Sequence, residues 1–187
     1  TSGANQSAKD YAALINGQTN TTGVTADART QAELKLTAAD SVSFDLNGTT
    51  ISAATADVTD MEELTAAINA KSGDTGVTAE NKGGTIILTD ESGADIEIAD
   101  VTAATADVEI KGIAQDGTAQ TTAITLDGQS ANADSTTVAG SIKLNSVNSF
   151  AVVTATDGDT GADAVSTLSK ISAVDLGTQD GAQNALA

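Results

Sequence analysis

The chain has 187 residues, with 26 acidic and 8 basic side chains and a formal net charge of -18; it contains one Met, one Tyr and two Phe, and no Pro, Cys, Trp or His. These counts exclude disulfides, thiolate nucleophiles and cysteine metal sites, remove the usual general base and commonest metal ligand, and argue against nucleic acid and anionic membranes, which call for clustered Lys and Arg. The length allows one or two domains, and no apolar run approaches the roughly 20 residues that span a bilayer.

Ile, Leu, Val and Phe make up only about a fifth of the chain, near the border at which high net charge predicts disorder. Their patterning points instead to folded modules with thin cores and few aromatic anchors. In chain order, Ser7 is placed to cap a helix that presents Tyr11, Leu14 and Ile15 on one face and stops at Gly17. A short strand follows at Val24-Thr25-Ala26, entered by a turn. Val42, Phe44 and Leu46 alternate, and Asn47-Gly48 leads to Thr49-Thr50-Ile51, which predicts a type I′ hairpin because both turn positions tolerate positive φ. Thr59 and Glu62 have capping-box spacing. Met61, Leu64 and Ile68 then recur at helical steps, and Gly73 is placed to end the helix through a left-handed residue. Val77-Thr78-Ala79 repeats the short strand.

Further strands are expected at Thr85–Leu88, at Ala94–Ile98, near Val108–Ile110, Ile124–Leu126 and Ile142–Leu144, and at Val152-Val153. Asn81–Gly84, Glu91–Gly93, Asp116-Gly117 and Asp127-Gly128 supply turns. The polar stretch from Gln129 to Thr137 reads as a loop. After Ala155 the character changes: Thr156–Gly161 reads as a linker, Val165, Leu168 and Ile171 recur at helical steps, and Thr178–Ala187 begins as a capped helix without a stop signal, so the chain is expected to be a fragment of a larger protein. The fold class implied is α+β: small antiparallel β-rich modules, each with a short helix, followed by the start of a helical segment.

Two internal echoes are present. Leu14–Ala26 matches Ala67–Ala79, with Ile-Asn and Thr-Gly-Val-Thr-Ala at the same spacing, and Ala53–Val58 matches Ala103–Val108. They imply two copies of one supersecondary unit, with Ile15 and Ile68 as equivalent buried positions.

Chemistry-bearing patterns are sparse. Asp157-Gly158-Asp159-Thr160-Gly161-Ala162-Asp163 carries oxygen donors of the kind calcium uses, but it departs from an EF-hand loop at Gly161 and lacks the closing Glu. Asp90 with Glu91, or Asp95 with Glu97, could be offered as acid and base, yet the chain lacks the Trp-rich platform that sugar substrates want. Glu62 and Glu63 fit the positive end of a helix dipole. The glycines form no phosphate loop, since Gly83-Gly84 leads into a strand. No catalytic, cofactor-binding or metal-binding residue is therefore assigned, and no enzyme activity or cofactor is expected. Asn5-Gln6-Ser7, Asn20-Thr21-Thr22 and Asn47-Gly48-Thr49 match the Asn-glycosylation pattern.

Ile171-Ser172-Ala173-Val174-Asp175-Leu176-Gly177-Thr178-Gln179-Asp180-Gly181-Ala182-Gln183-Asn184-Ala185-Leu186 resembles the segment of bacterial flagellin that leads into its C-terminal core helix. Ala67–Ala79, and Leu14–Ala26 with it, resemble the IN repeat of flagellins and hook-associated proteins. The resemblance implies an extracellular structural subunit of the flagellar filament that supports motility. This chain would be the surface-exposed middle of that subunit. Residues 1–40 and 113–155 would form a base outer domain (D2-like), residues 41–112 an inserted outer module (D3-like), and residues 156–187 the linker and start of the C-terminal core helix (D1). An alternative is two sequential modules split near residue 53. The implied partners are other flagellin subunits, through core segments largely absent here, and host antibodies; the fragment itself is expected to be monomeric. A hook-associated or filament-cap module, or an adhesin sharing the repeat, is the competing reading, and the tail at Ile171–Leu186 favours flagellin. The resemblance also implies export unfolded through a narrow channel, to which small residues and missing disulfides are suited. Some flagellins carry O-linked glycans on their outer domains, but no rule assigns one to a residue here.

Overall fold

A computed structural model describes residues 6–129, 134–152 and 164–165. In chain order the elements are α1 (Ala8–Asn16), α2 (Thr19–Thr22), β1 (Val24–Leu36), β2 (Ser41–Leu46), β3 (Thr49–Ala54), α3 (Glu62–Ala70), α4 (Ser72–Thr75), β4 (Thr78–Asn81), β5 (Ile86–Asp90), β6 (Ile96–Thr102), β7 (Asp107–Ile113), β8 (Ile124–Asp127), β9 (Thr136–Val138), β10 (Ser141–Ser146), β11 (Ala151–Val152) and β12 (Ala164–Val165). The fold is α+β, with antiparallel pairing throughout.

One sheet runs β4-β5-β1-β7-β8, with β10 also paired to β1, and a second runs β3-β2-β6-β9. β1 is the long axis of the first sheet. Over its 13 residues every second side chain from Ala26 to Leu36 is buried. Its first half, Val24–Arg29, pairs with β10, and its second half pairs with β5 and β7. The two halves serve two cores. The larger takes Leu34 and Leu36 of β1, Phe44, Leu46, Ile51, Ile96 and Ile98 of the second sheet, Met61 at the N-cap of α3, and Leu64 and Ile68 of α3. The smaller consists of Ala8, Ala12, Ala26 and Ala28, with Ile15, Ile142 and Leu144 against it.

The hairpin at Asn47-Gly48 forms as expected, with φ of 47° and 76° at the two turn residues. The expected strands form as far as the described residues reach (of Val152-Val153 only Val152, in β11, is described), but β5 and β6 are not partners. The turn at Glu91–Gly93 carries the chain from the first sheet to the second. At that crossing Gly93 has φ +77°, and a Cβ there would collide with Ala28 Cβ and stand 3.1 Å from the Arg29 nitrogen. Only glycine fits so close to β1 in that conformation. β6 also holds a bulge: the register slips by one residue between the Ser43 and Asp45 pairings, and Asp100 absorbs it with φ 52°.

Several expectations are corrected. The stretch Gln129–Thr137 is not all loop, because β9 begins at Thr136 and pairs with β6. Residues 130–133 lie outside the described residues. Val165 is not helical but pairs with Ala151 in the β11–β12 ribbon. The linker at Thr156–Gly161, and Leu168, Ile171 and everything after them, lie outside the described residues. Thr59 does not cap the second helix. Its N–H and hydroxyl both donate to Asp57, and the Glu62 N–H is taken by the Asp60 carboxylate instead. Gly73 lies within α4, and the left-handed residue is Gly76, with φ 76°. Tyr11 and Leu14 are 40% and 53% exposed, because α1 buries Ala8 and Ala12 against β1. Small side chains on both surfaces let helix and strand approach closely, so the large ones are left outside.

Ile15 and Ile68 are consequently not equivalent. Ile68 is fully buried, whereas Ile15 is half-buried at the edge of the alanine cluster. Ile68→Ala should cost about 2 to 5 kcal/mol, through lost burial and the cavity left behind. Ile15→Ala should cost clearly less in the same chemical-denaturation assay.

Candidate functional site

The distinctive local structure is the repeated helix-to-strand unit, present at α1-α2-β1 and again at α3-α4-β4. Each copy has a two-turn helix, a single-turn helix, a left-handed glycine (Gly23, Gly76) and an outgoing strand. The asparagine of each Ile-Asn pair clamps helix to strand. Asn16 Nδ2 donates to the Ala26 carbonyl and Asn16 Oδ1 accepts from the Ala26 N–H, both at 2.8 Å. Asn69 does the same to Ala79, again at 2.8 Å in both bonds. The amide thereby mimics one rung of a β-ladder, which no other short side chain can do, since it needs an adjacent donor and acceptor.

The threonine before each glycine holds the turn. Thr22 Oγ1 donates to the Gln18 carbonyl at 3.0 Å and accepts from the Val24 N–H at 3.2 Å. Thr75 Oγ1 donates to Lys71 and accepts from Val77, both at 3.1 Å. At the asparagine and the threonine the sequence echo is therefore an echo of bonds.

The second echo meets at Asp40, between β1 and β2. Thr55 donates its N–H to the Asp40 carbonyl at 2.8 Å, and the Asp40 carboxylate accepts from the N–H groups of Thr105, at 2.6 Å, and Ala106, at 3.1 Å. Thr55 and Thr105 are the matching threonines of Ala53–Val58 and Ala103–Val108. The Thr105 N–H first, with Ser41, Ala106 and the Thr105 hydroxyl, holds the Asp40 carboxyl below its ordinary value. Asp57 and Asp116 are lowered in the same way, chiefly by the N–H groups of Thr59 and Thr118.

The residues singled out in the sequence fall as follows. Asp90 is buried and its carboxylate accepts from the Ser92 N–H and hydroxyl, at 2.8 and 2.6 Å, while Glu91 is exposed. Asp95 is half-buried and Glu97 is exposed on β6. Glu62 and Glu63 occupy the first turn of α3 on its solvent side. Asn47 donates to the Thr75 carbonyl and accepts from the Glu97 N–H, each at 2.8 Å, so its amide is structural. Asn20 is exposed on α2. Asn5 and the Asp157–Asp163 loop lie outside the described residues. Among the described residues no group of three or more carboxylates gathers as a metal ligand set, and no helix is long and apolar enough to cross a membrane.

Residues 41–92 match the family model of the flagellin hook IN motif. The likeness is to that motif and covers this segment of the chain. The segment comprises the β2–β3 hairpin, the α3–α4 helices and the β4–β5 hairpin, and so contains the whole second clamp. No curated protein matches the chain. The segment Ile171–Leu186, which carries the other resemblance, lies outside the described residues.

Two outcomes test this anatomy. Asn69→Ala removes two side-chain bonds to one backbone rung, each worth about 0.5 to 1.5 kcal/mol net. Unfolding titrations should show a matching loss, and Asn69→Asp, which keeps the acceptor, should lie between wild type and Ala. For Asp40, the folded carboxyl lies below the unfolded one, so its contribution is present above the ordinary value of 3.8 and is lost as pH falls through the folded value. Melting temperatures of wild type and Asp40→Asn should differ near neutral pH and converge as pH falls below that range.

Proposed function

We propose that this chain is the solvent-facing part of a flagellar filament subunit, a structural protein of motility with no enzymatic role. The observation that carries the reading is the flagellin hook IN motif at residues 41–92, with its clamp repeated at Asn16. The surface supports it: with 26 acidic against 8 basic side chains the skin is strongly anionic, which keeps a dense array of subunits soluble and resists nonspecific adhesion. Its partners are other subunits of the filament, and its place is outside the cell.

In this reading residues 1–40 and 113–155 form the base module and residues 41–112 an inserted outer module, with residues 156–187 returning toward the filament core. In this reading the two segments meet along β1, whose first half faces the alanine cluster with α1 and β10 and whose second half pairs with β5 and β7 of the inserted segment.

The motif's description also names the hook, which favours a hook-associated protein as the second reading. Immunogold electron microscopy on the source bacterium, with antibody raised against this chain, separates them. Gold along the whole filament is the expected result. Gold confined to the hook junction or the filament tip would move the chain to the hook-associated or cap class. Gold on the cell body beside bare filaments would remove it from the flagellum.

A further inference from the structure

An exposed strand edge offers unpaired backbone groups to another chain, and soluble proteins guard such edges with charge. In this chain some edges are guarded, whereas β3 and β8 are not. At the β4 edge Glu80 is exposed and paired with Lys82 at 3.2 Å. β10, which pairs only with β1, carries the exposed Lys143. β3, Thr49-Thr50-Ile51-Ser52-Ala53-Ala54, ends the second sheet and has no charged residue. Among the described residues its backbone bonds only to β2. β8, Ile124-Thr125-Leu126-Asp127, ends the first sheet, pairs only with β7, and holds its one charge at the last position. Ile124 is 45% exposed, although it shares a face of β8 with the buried Leu126.

The surfaces beside these two edges are uncharged as well. β8 borders a cleft of about 910 Å³, lined by Ile113, Ile124, Thr137 and Val138 among others. The one charged residue of its lining is Asp116, whose carboxylate accepts the Thr118 N–H at 2.8 Å. Beside β3, Ser43, Ser52, Ala54, Thr102 and Ala104 line a second open groove, and no charged residue joins them. With 26 acidic against 8 basic side chains in the chain, two neutral surfaces, each at an unguarded edge, form a matched pair.

We propose that β3 of one copy of this chain pairs along β8 of a second copy and covers Ile124, so that the second sheet of one subunit continues the first sheet of its neighbour. The choice of unlike edges rests on the filament reading above. A filament grows through heterologous contacts, which join unlike surfaces, whereas a two-fold contact joins like surfaces and closes. Net charge sets the conditions. Each body carries -18, so approach is opposed at low salt, while the contact itself has no ion pair for salt to weaken. Pairing between free chains is therefore favoured by salt and by concentration.

The chain has no native cysteine, so single thiols report on single edges. Ser52→Cys marks β3, Thr125→Cys marks β8 and Glu80→Cys marks the guarded edge, all at exposed positions. Equal mixtures of two full-length variants are treated with a bismaleimide whose flexible arm spans several strand positions, so that no register is presumed. The Ser52→Cys and Thr125→Cys mixture should give cross-linked dimers several-fold above either variant alone and above Ser52→Cys with Glu80→Cys. Its yield should rise as NaCl goes from about 0.05 to about 0.5 M. Ile124→Lys, added to the Thr125→Cys chain, reduces the net charge yet guards the edge, and should return the yield to the control level. Equal yields in all mixtures, dimers mainly within one variant, a yield that falls with salt, or one untouched by Ile124→Lys would each overturn the proposal. Gold along the filament without selective cross-linking overturns the pairing alone. Selective cross-linking with gold off the filament supports the pairing and removes the filament.

Discussion

The asparagine clamp is the interaction on which the rest depends. A helix must hand its chain to a strand through a left-handed glycine, and nothing in the helix itself fixes the direction of the strand. Asn69 fixes it by bonding both backbone groups of Ala79. With that rung made, Thr78–Asn81 lies in register on β5, β5 lies on β1, and the face carrying Ile68 and Val77 is aimed into the core. Without it, register would rest on a four-residue strand whose burial pattern is weak, and a slip by one residue turns a strand's faces over.

The same device gives two different results because the residues around it differ. In the first unit the position of Met61 is held by Ala8 and that of Leu64 by Tyr11. Ala8 lets α1 close on β1, where Lys9 donates its N–H to the Gly93 carbonyl. Tyr11 is then turned outward and is 40% exposed. A repeat in sequence therefore fixes a repeat in local bonding while leaving burial to the neighbours. That is the physical reason Ile15 and Ile68 diverge.

This also sets the limit of what the sequence made legible. The hairpin at Asn47-Gly48, the helix of Met61, Leu64 and Ile68, and every large-aliphatic strand could be read, because large side chains on one face carry a period. Of β1 only the start, Val24-Thr25-Ala26, is legible. Its inward side chains are Ala26, Ala28, Thr30 and Ala32 before Leu34 appears, and alternation between Ala and polar residues gives little contrast. The orientation of α1 is hidden for the same reason: its buried stripe is alanine, while the larger Tyr11 and Leu14 lie on the exposed side. The crossing of the chain between sheets at Gly93 is a long-range matter with no local signal. The clamp itself was half visible, as a conserved spacing between the two copies, but the role of Asn needed the strand in place. The Asp40 junction was visible only as an unexplained echo of Ala-Ala-Thr-Ala-Asp-Val.

Asp40, Thr55 and Thr105 show how so acidic and aromatic-poor a chain can hold its loops. Disulfides, proline and tryptophan, usual means of fixing a connection, are missing. Short polar side chains bonded to backbone take their place: Asp40 to Thr105 and Ala106, Asp57 to Thr59, Asp90 to Ser92, Asp116 to Thr118. Three of these ties are local, within two residues, and Asp40 joins segments 65 residues apart; all form without a deep core and satisfy backbone groups that a turn would otherwise expose. They also put the negative charge to structural use, since a carboxylate accepts more strongly than a neutral oxygen. In a chain of net charge -18, residues that supply the charge are then among those that tie the turns, and the acidic composition and the fold stop being competing demands.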